Sequence, residues 1–258
     1  MTALPAHDWN QRWQCIVDKV RRIESEAGRV ALMNELGSVS RPLTLAFVNA
    51  HAMNTLAASQ EFFDALASAD LLLRDGSGMA TLFTLLGCPP GLNLNGTDLI
   101  PNIIERYNGR QIALYGTSER YVDRACDGVR QLTPDSELSR AHGFLSADDY
   151  IELALAAKPE LIVLGMGMPK QERVAQLLRA ALKVPCLIVC GGAILDFLGA
   201  RVSRAPKLMR KAGAEWLYRL AREPRRLFAR YVLGNPLFLC RAVKFVRTQR
   251  KTALVRTR

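Results

Sequence analysis

The chain has 258 residues, 49% of them hydrophobic, and its 35 Lys and Arg against 24 Asp and Glu give a net charge of +11. That length accommodates one large core, or a core with an appendage. No run nears the ~18 apolar residues of a membrane-spanning helix, and residues 1–14 lack the apolar segment of a signal peptide. The six cysteines form no Cys-x-x-Cys pair and no Cys/His cluster, which predicts reduced thiols in the cytoplasm and no zinc site.

Residues 8–36 are helix-rich, with Trp13, Ile16, Val17 and Val20 at helical spacing, until Gly37 and Pro42 end the pattern. Residues 43–48 favour a strand, followed by Asn49, His51 and Asn54. His51 has no carboxylate beside it in sequence, so a structural histidine is expected rather than a catalytic base. After a helix over 60–67, Leu71, Leu72 and Leu73 read as a short strand covered on both faces, because such a strand needs no polar alternation. Asp75-Gly76-Ser77-Gly78 then stands at its carboxyl end, where open α/β sheets bind ligands. The glycines let the backbone turn sharply and approach a ligand. Two readings of Asp75 stand at this point: a carboxylate placed for chemistry, or an N-cap for the helix beginning near Met79.

Helices are expected over 79–86 and from Thr97 or Asp98 to 106. A strand over 111–115 runs into Gly116, Thr117 and a helix over 120–131, an arrangement that cradles phosphate with free N–H groups and the helix dipole. Asp148 and Asp149 open a helix over 147–157, as caps rather than metal ligands. The strand over 161–164 leads to Gly165-Met166-Gly167-Met168-Pro169-Lys170-Gln171-Glu172. Gly-x-Gly after a strand suggests a nucleotide, but Lys170 stands where a dinucleotide fingerprint has its third glycine, which tells against nicotinamide. Gln171 and Glu172 open the next helix, in position to hydrogen-bond a base or a sugar. The last strand, 187–189, ends at Gly191-Gly192; Asp196 follows in a short helical turn, and 201–206 is a loop. Strand and helix alternate throughout, which predicts an α/β, Rossmann-like, doubly wound and mostly parallel sheet over residues 1–206.

The tail differs. Residues 201–258 hold 17 Lys and Arg against Glu215 and Glu223, a net of +15 that leaves −4 for the first 200 residues. A basic tail on a mildly acidic body implies an acidic partner. Helices over 207–222, 224–233 and, beyond a Gly234-Asn235-Pro236 break, 236–246 interleave arginines with Leu237, Phe238, Leu239 and Phe245. That pattern fits a helix lying in a membrane interface. Residues 207–258 are therefore read as a basic helical appendage that associates with an anionic membrane. The alternative is an ordinary helix packed on the body with a solvated basic face.

Several motifs follow one another in a particular order: Phe47-Val48-Asn49-Ala50, Asp70 through Asp75-Gly76-Ser77-Gly78, Asn95-Gly96-Thr97-Asp98, Gly116-Thr117, Gly165 through Gln171-Glu172, Gly191-Gly192-Ala193, Arg204-Ala205-Pro206 and Glu215-Trp216 through Arg226. In this order they resemble the WecG/TagA/CpsF family of bacterial glycosyltransferases, from about residue 43 to 231. The resemblance implies transfer of a hexosyl or N-acetylhexosaminyl group from a UDP-sugar to an undecaprenyl-diphosphate-linked saccharide, with inversion, in cell-surface polysaccharide synthesis. It implies Asp75 as the catalytic residue and an appendage that supplies arginines to the site. Together with the residue-level reading it puts Asn49, Asn54, Arg226 and Arg230 on the acceptor. Gly116, Thr117, Gly165, Gly167, Gln171, Glu172, Gly191 and Gly192 fall to the nucleotide sugar. The enzyme is expected at the inner face of the cell membrane, as a peripheral cytoplasmic protein without cofactor. One departure stands out: family members often carry threonine two residues before the asparagine, and here that residue is Phe47.

The chemistry fits independently. A sugar hydroxyl has a pKa far above neutral, so a positioned carboxylate must take its proton as it attacks. The departing UDP needs arginines or helix N-termini to receive its charge. The sequence has no Asp-x-Asp motif and three histidines, so a metal-independent mechanism is expected. The rivals are a nucleotide-dependent oxidoreductase on the same sheet and a nucleic-acid-binding module using the tail; apolar residues threaded through 231–246 suit lipid better than a solvated arm. A homo-oligomer is compatible with the sequence.

Overall fold

Seven parallel strands make one sheet among the described residues of the computed structural model, which are 8–206, 208–209 and 215–256. They are β1 (Val20–Arg21), β2 (Pro42–Val48), β3 (Leu71–Arg74), β4 (Gln111–Gly116), β5 (Glu137–Ala141), β6 (Leu161–Gly165) and β7 (Cys186–Cys190). Their spatial order is β1-β3-β2-β7-β6-β4-β5. From β2 the chain moves outward to β3, and from β4 it moves outward the other way to β5. The loops at the carboxyl ends therefore diverge near β7 and β6 and leave a crevice there.

The strands alternate, but between two apolar sides. Ala46, Val48, Leu72, Ile162 and Leu164 enter one core, while Leu45, Phe47, Leu71, Leu73, Leu161 and Val163 enter the other. The first core is covered by α1 (Trp9–Lys19), α3 (Ala50–Ala58), α4 (Gln60–Ser68), α5 (Gly76–Leu85), α8 (Ala147–Ala157) and α9 (Lys170–Ala181). The second lies under α2 (Glu26–Gly37), α6 (Gly96–Glu105), α7 (Glu119–Leu132) and α10 (Ile194–Leu198). The doubly wound α/β fold expected from the alternation is thus present.

Two strands carry no signal in the sequence. β1 is two residues long, and β5 is the polar run Glu-Leu-Ser-Arg-Ala, paired on one side only, with β4. An edge strand needs no continuous apolar run, so its pattern is weak. At α8 Asp149 caps, forming a reciprocal capping box with Ser146.

The tail forms α11 (Glu215–Arg222), α12 (Pro224–Phe228), a wide π-helical turn over Ala229–Leu233, and α13 (Gly234–Arg256). Residues 207 and 210–214 of the expected 207–222 helix lie outside the described residues. The break expected at Gly234-Asn235-Pro236 is absent, because Pro236 falls in the first turn of α13, where its missing N–H costs nothing. The structure also corrects the interfacial reading of two aromatics. Phe238 and Phe245 are fully buried in the first core, with ring centroids 5.5 and 5.7 Å from Trp13. Ala242 and Val246 join them, so the buried positions recur at i, i+4, i+7 and i+8. Leu237, Leu239 and Val243 remain exposed. Among the described residues, no helix is long and apolar enough to cross a membrane.

Candidate active site

A cleft of about 560 Å³ opens at the carboxyl ends of β2, β3, β4, β6 and β7, and Trp216, Arg219, Arg230, Tyr231 and Leu239 of the tail line it as well. Parallel strands all aim their carboxyl ends at this one side, so residues far apart in sequence meet there.

Asp75 lies in this cleft directly before α5, at the N-cap position, yet its side chain makes no capping hydrogen bond. Instead Asn49 Nδ2 donates to Asp75 Oδ2 at 3.2 Å. Asn49 Oδ1 accepts from Ala52 N–H at 3.0 Å, capping α3. One carboxamide thus ties the end of β2 to the carboxylate at the end of β3. Behind it, the buried guanidinium of Arg74 donates to the carbonyls of Gly76 and Gly91 at 3.0 and 2.8 Å, which fixes the turn that carries Asp75. Of the two readings, the capping one fails on geometry: the carboxylate faces the cleft.

The opposite wall is built from glycine loops. Gly116 packs so tightly that an added Cβ would sit 2.4 Å from the Gly165 carbonyl carbon, whereas Gly167 and Gly192 hold left-handed backbone with open space beside them. Gln171 Oε1 accepts from both Gly167 N–H (3.3 Å) and Gly192 N–H (2.9 Å). Thr117, at φ +48°, donates its hydroxyl to the buried carboxylate of Asp196, which also accepts from Arg201 Nη1 at 3.2 Å.

His51 lines the cleft too. Burial, with the Arg230 guanidinium nearby, pushes its imidazole down to about 4, so the ring is neutral at pH 7. A folded value below the usual 6.5 means that the unfolded chain binds this proton more readily. The stability His51 contributes is complete above pH 6.5 and is lost as pH falls through 4. Urea unfolding of His51→Gln should therefore lose less stability than the parent between pH 6.5 and 4, by about 1–2 kcal/mol once solvent screening is allowed for. Parallel pH profiles would clear His51 of any part in acid sensitivity.

The family model for the Glycosyl transferase WecG/TagA/CpsF family matches residues 19–252. This chain belongs to that family. Among curated proteins, the N-acetylglucosaminyldiphosphoundecaprenol N-acetyl-beta-D-mannosaminyltransferases of Staphylococcus aureus strains MW2 and NCTC 8325 are each 24% identical to it over 213 residues. The alignment covers 81% of this chain and 83% of each relative. As a member of the WecG/TagA/CpsF family the chain is a glycosyltransferase, which replaces the oxidoreductase reading.

Within this family member the expected site residues separate into three groups. Asp75, Asn49, Thr117, Gly165, Gly167, Gln171, Gly191, Gly192 and Arg230 line the cleft. Gly116, Glu172 and Asn54 do not: Gly116 is a packing glycine, Glu172 is buried behind the wall, and Asn54 fastens the tail. The amide of Asn54 donates to Gly234 O at 2.7 Å and accepts from Arg241 at 3.0 Å, so it is occupied by α13. Arg226 belongs to α12, and its side chain lies outside the described residues. Sequence reasoning gave no site role to Asp196, Arg201 or Trp216, and His51, expected as a structural histidine, lines the cleft with them. Only Asp196 had a local signal, a carboxylate just beyond a Gly-Gly turn at a strand end. No group of three or more His, Cys, Asp or Glu among the described residues is placed to hold a metal ion.

Proposed function

We propose that this chain transfers a sugar from a UDP-sugar to a polyprenyl-diphosphate-linked saccharide, with inversion, at the inner face of the cell membrane. The observation that carries the reading is Asp75: a carboxylate at a helix N-terminus that does not cap, held by Asn49 and facing a cleft lined with arginines. The relatives' names, which specify a diphosphoundecaprenol-linked N-acetylglucosamine acceptor and an N-acetylmannosaminyl group transferred, support the acceptor class.

In this mechanism the acceptor hydroxyl gives its proton to Asp75 as its oxygen attacks the anomeric carbon. The bond from that carbon to the diphosphate oxygen breaks, and UDP leaves with the electron pair. A single displacement inverts the centre. Arg201, Arg219 and Arg230 all line the cleft, where the diphosphate charge develops. On the donor side, Thr117 and Asp196 suit the ribose hydroxyls, and Phe144, 76% exposed on the rim, offers a flat face to the base.

Residues 207–258 act here as the membrane-associating part. Leu233, Leu237, Leu239 and Phe228 are exposed on a segment rich in arginine. Apolar side chains among cations match an anionic interface.

The test is a panel of UDP-sugars with a synthetic polyprenyl-diphosphate N-acetylglucosamine, with product mass and anomeric configuration measured with and without EDTA. One UDP-sugar should give an inverted disaccharide at unchanged rate in chelator. Transfer only from another class of nucleotide sugar, or retained configuration, would overturn the donor or the displacement. Activity abolished by EDTA and restored by magnesium would transfer the leaving-group role from arginines to a metal.

A further inference from the structure

Glu172 is costly where it stands. Its side chain is 2% exposed and its Oε2 has no hydrogen-bond partner. Burial pushes its carboxyl up to about 7, and the titratable group set against it, the Cys190 thiol, is itself raised well above its ordinary value by burial. Burial outweighs the hydrogen bonds that favour the carboxyl's charged form, and an apolar side chain of similar length would avoid the desolvation cost. The side-chain hydrogen bond the carboxyl accepts comes from its neighbour: Gln171 Nε2 donates to Glu172 Oε1 at 2.8 Å.

That bond decides which way the Gln171 amide faces. Gln171 is also 2% exposed, and its Oε1 accepts from the N–H groups of Gly167 and Gly192. Those two loops end β6 and β7, and each holds its glycine in left-handed backbone with open space where a Cβ would stand. A carboxamide turned over would set its NH₂ against two N–H donors, so only one orientation joins the loops. Glu172 selects that orientation by accepting from the NH₂ side.

We infer that Glu172 is a positioning residue: it locks the Gln171 carboxamide, which in turn holds the Gly167 and Gly192 loops in the shape that receives the nucleoside diphosphate of the donor. The ligand part of this statement rests on the donor reading above; the lock itself does not. A buried polar pair without the second loop contact would merely be structural. Here both loops converge on one oxygen atom, and both line the cleft.

The experiment compares the full chain with Glu172→Gln, which keeps an acceptor at the same reach, and Glu172→Met, which removes it. Two quantities are measured: amide hydrogen exchange at Gly167 and Gly192 without ligand, and UDP affinity by calorimetry. In Glu172→Met, exchange at both glycines should quicken and UDP affinity should fall about tenfold, the scale of one lost buried hydrogen bond. Glu172→Gln should restore both to within about twofold of the parent. Unchanged exchange in Glu172→Met, or equal loss in Glu172→Gln, overturns the lock. Should Glu172→Met not fold, Glu172→Asp, one methylene too short to reach, serves as the milder variant with the same expected directions. A parent chain that binds no UDP overturns the donor reading instead, while the exchange rates still decide on the lock.

Discussion

Replacing Asp75 with asparagine is expected to lower turnover by ~10²-fold or more, the scale of a lost general base, with UDP affinity and melting temperature close to those of the parent. The side chain makes no capping bond to α5, so its charge is not needed to hold that helix. Its one side-chain hydrogen bond comes from Asn49 Nδ2, and an asparagine oxygen at the same reach still accepts it. What the substitution removes is the capacity to take a proton in the cleft. Steady-state turnover, calorimetry with UDP and thermal unfolding should be run on one preparation. Turnover near that of the parent would take Asp75 out of the mechanism. Lost UDP binding would place it on the donor instead.

Cutting the chain after Arg222 should destroy the fold rather than release a soluble α/β body. The cut removes Leu227, Phe238, Ala242, Phe245 and Val246, all buried. It strips Trp13 of both aromatic partners on α13. Losing one buried phenylalanine side chain costs about 3–5 kcal/mol, and a whole domain is stable by only about 5–15 kcal/mol. Phe245→Ala, which lies outside the cleft lining, isolates the packing part and should cost about 3–5 kcal/mol in denaturant unfolding. Membrane attachment has to be tested on the intact chain. Changing exposed Leu233, Leu237 and Val243 to serine should leave unfolding unaltered and weaken flotation with anionic liposomes. A truncated chain that unfolds cooperatively would show α13 to be dispensable, and undiminished flotation of the triple variant would place the attachment surface elsewhere.

The placing of Gly78 shows how closely tail and site are joined. A Cβ there would come within 3.0 Å of Ala50 Cβ and 3.3 Å of the Phe238 ring. The glycine that follows Asp75 by three residues therefore leaves the space in which α13 packs closely against the helix that Asp75 opens. Trp13, which completes this packing, lies before the region that matches the family.

Local pattern alone determined a good deal. The runs Leu71–Leu73, 161–164 and 187–189 are legible as buried strands because both faces of a covered parallel sheet are apolar, and glycines at their ends mark the turns. From these came the sheet, the side of it on which the cleft opens, and Asp75 at a strand's carboxyl end. The sequence could not show the direction in which a polar side chain spends its hydrogen bonds. Asn54 and Glu172 sit beside site residues in the chain, yet α3 turns Asn54 toward Gly234, and α9 turns Glu172 inward. The 3.6-residue period places neighbours on different faces of a helix, and only packing says which face is the cleft. Phe238 and Leu239 are the same case. Composition made both look suited to lipid, but the tertiary structure buried one against Trp13 and left the other exposed, because one side of α13 has a core to meet and the other has none.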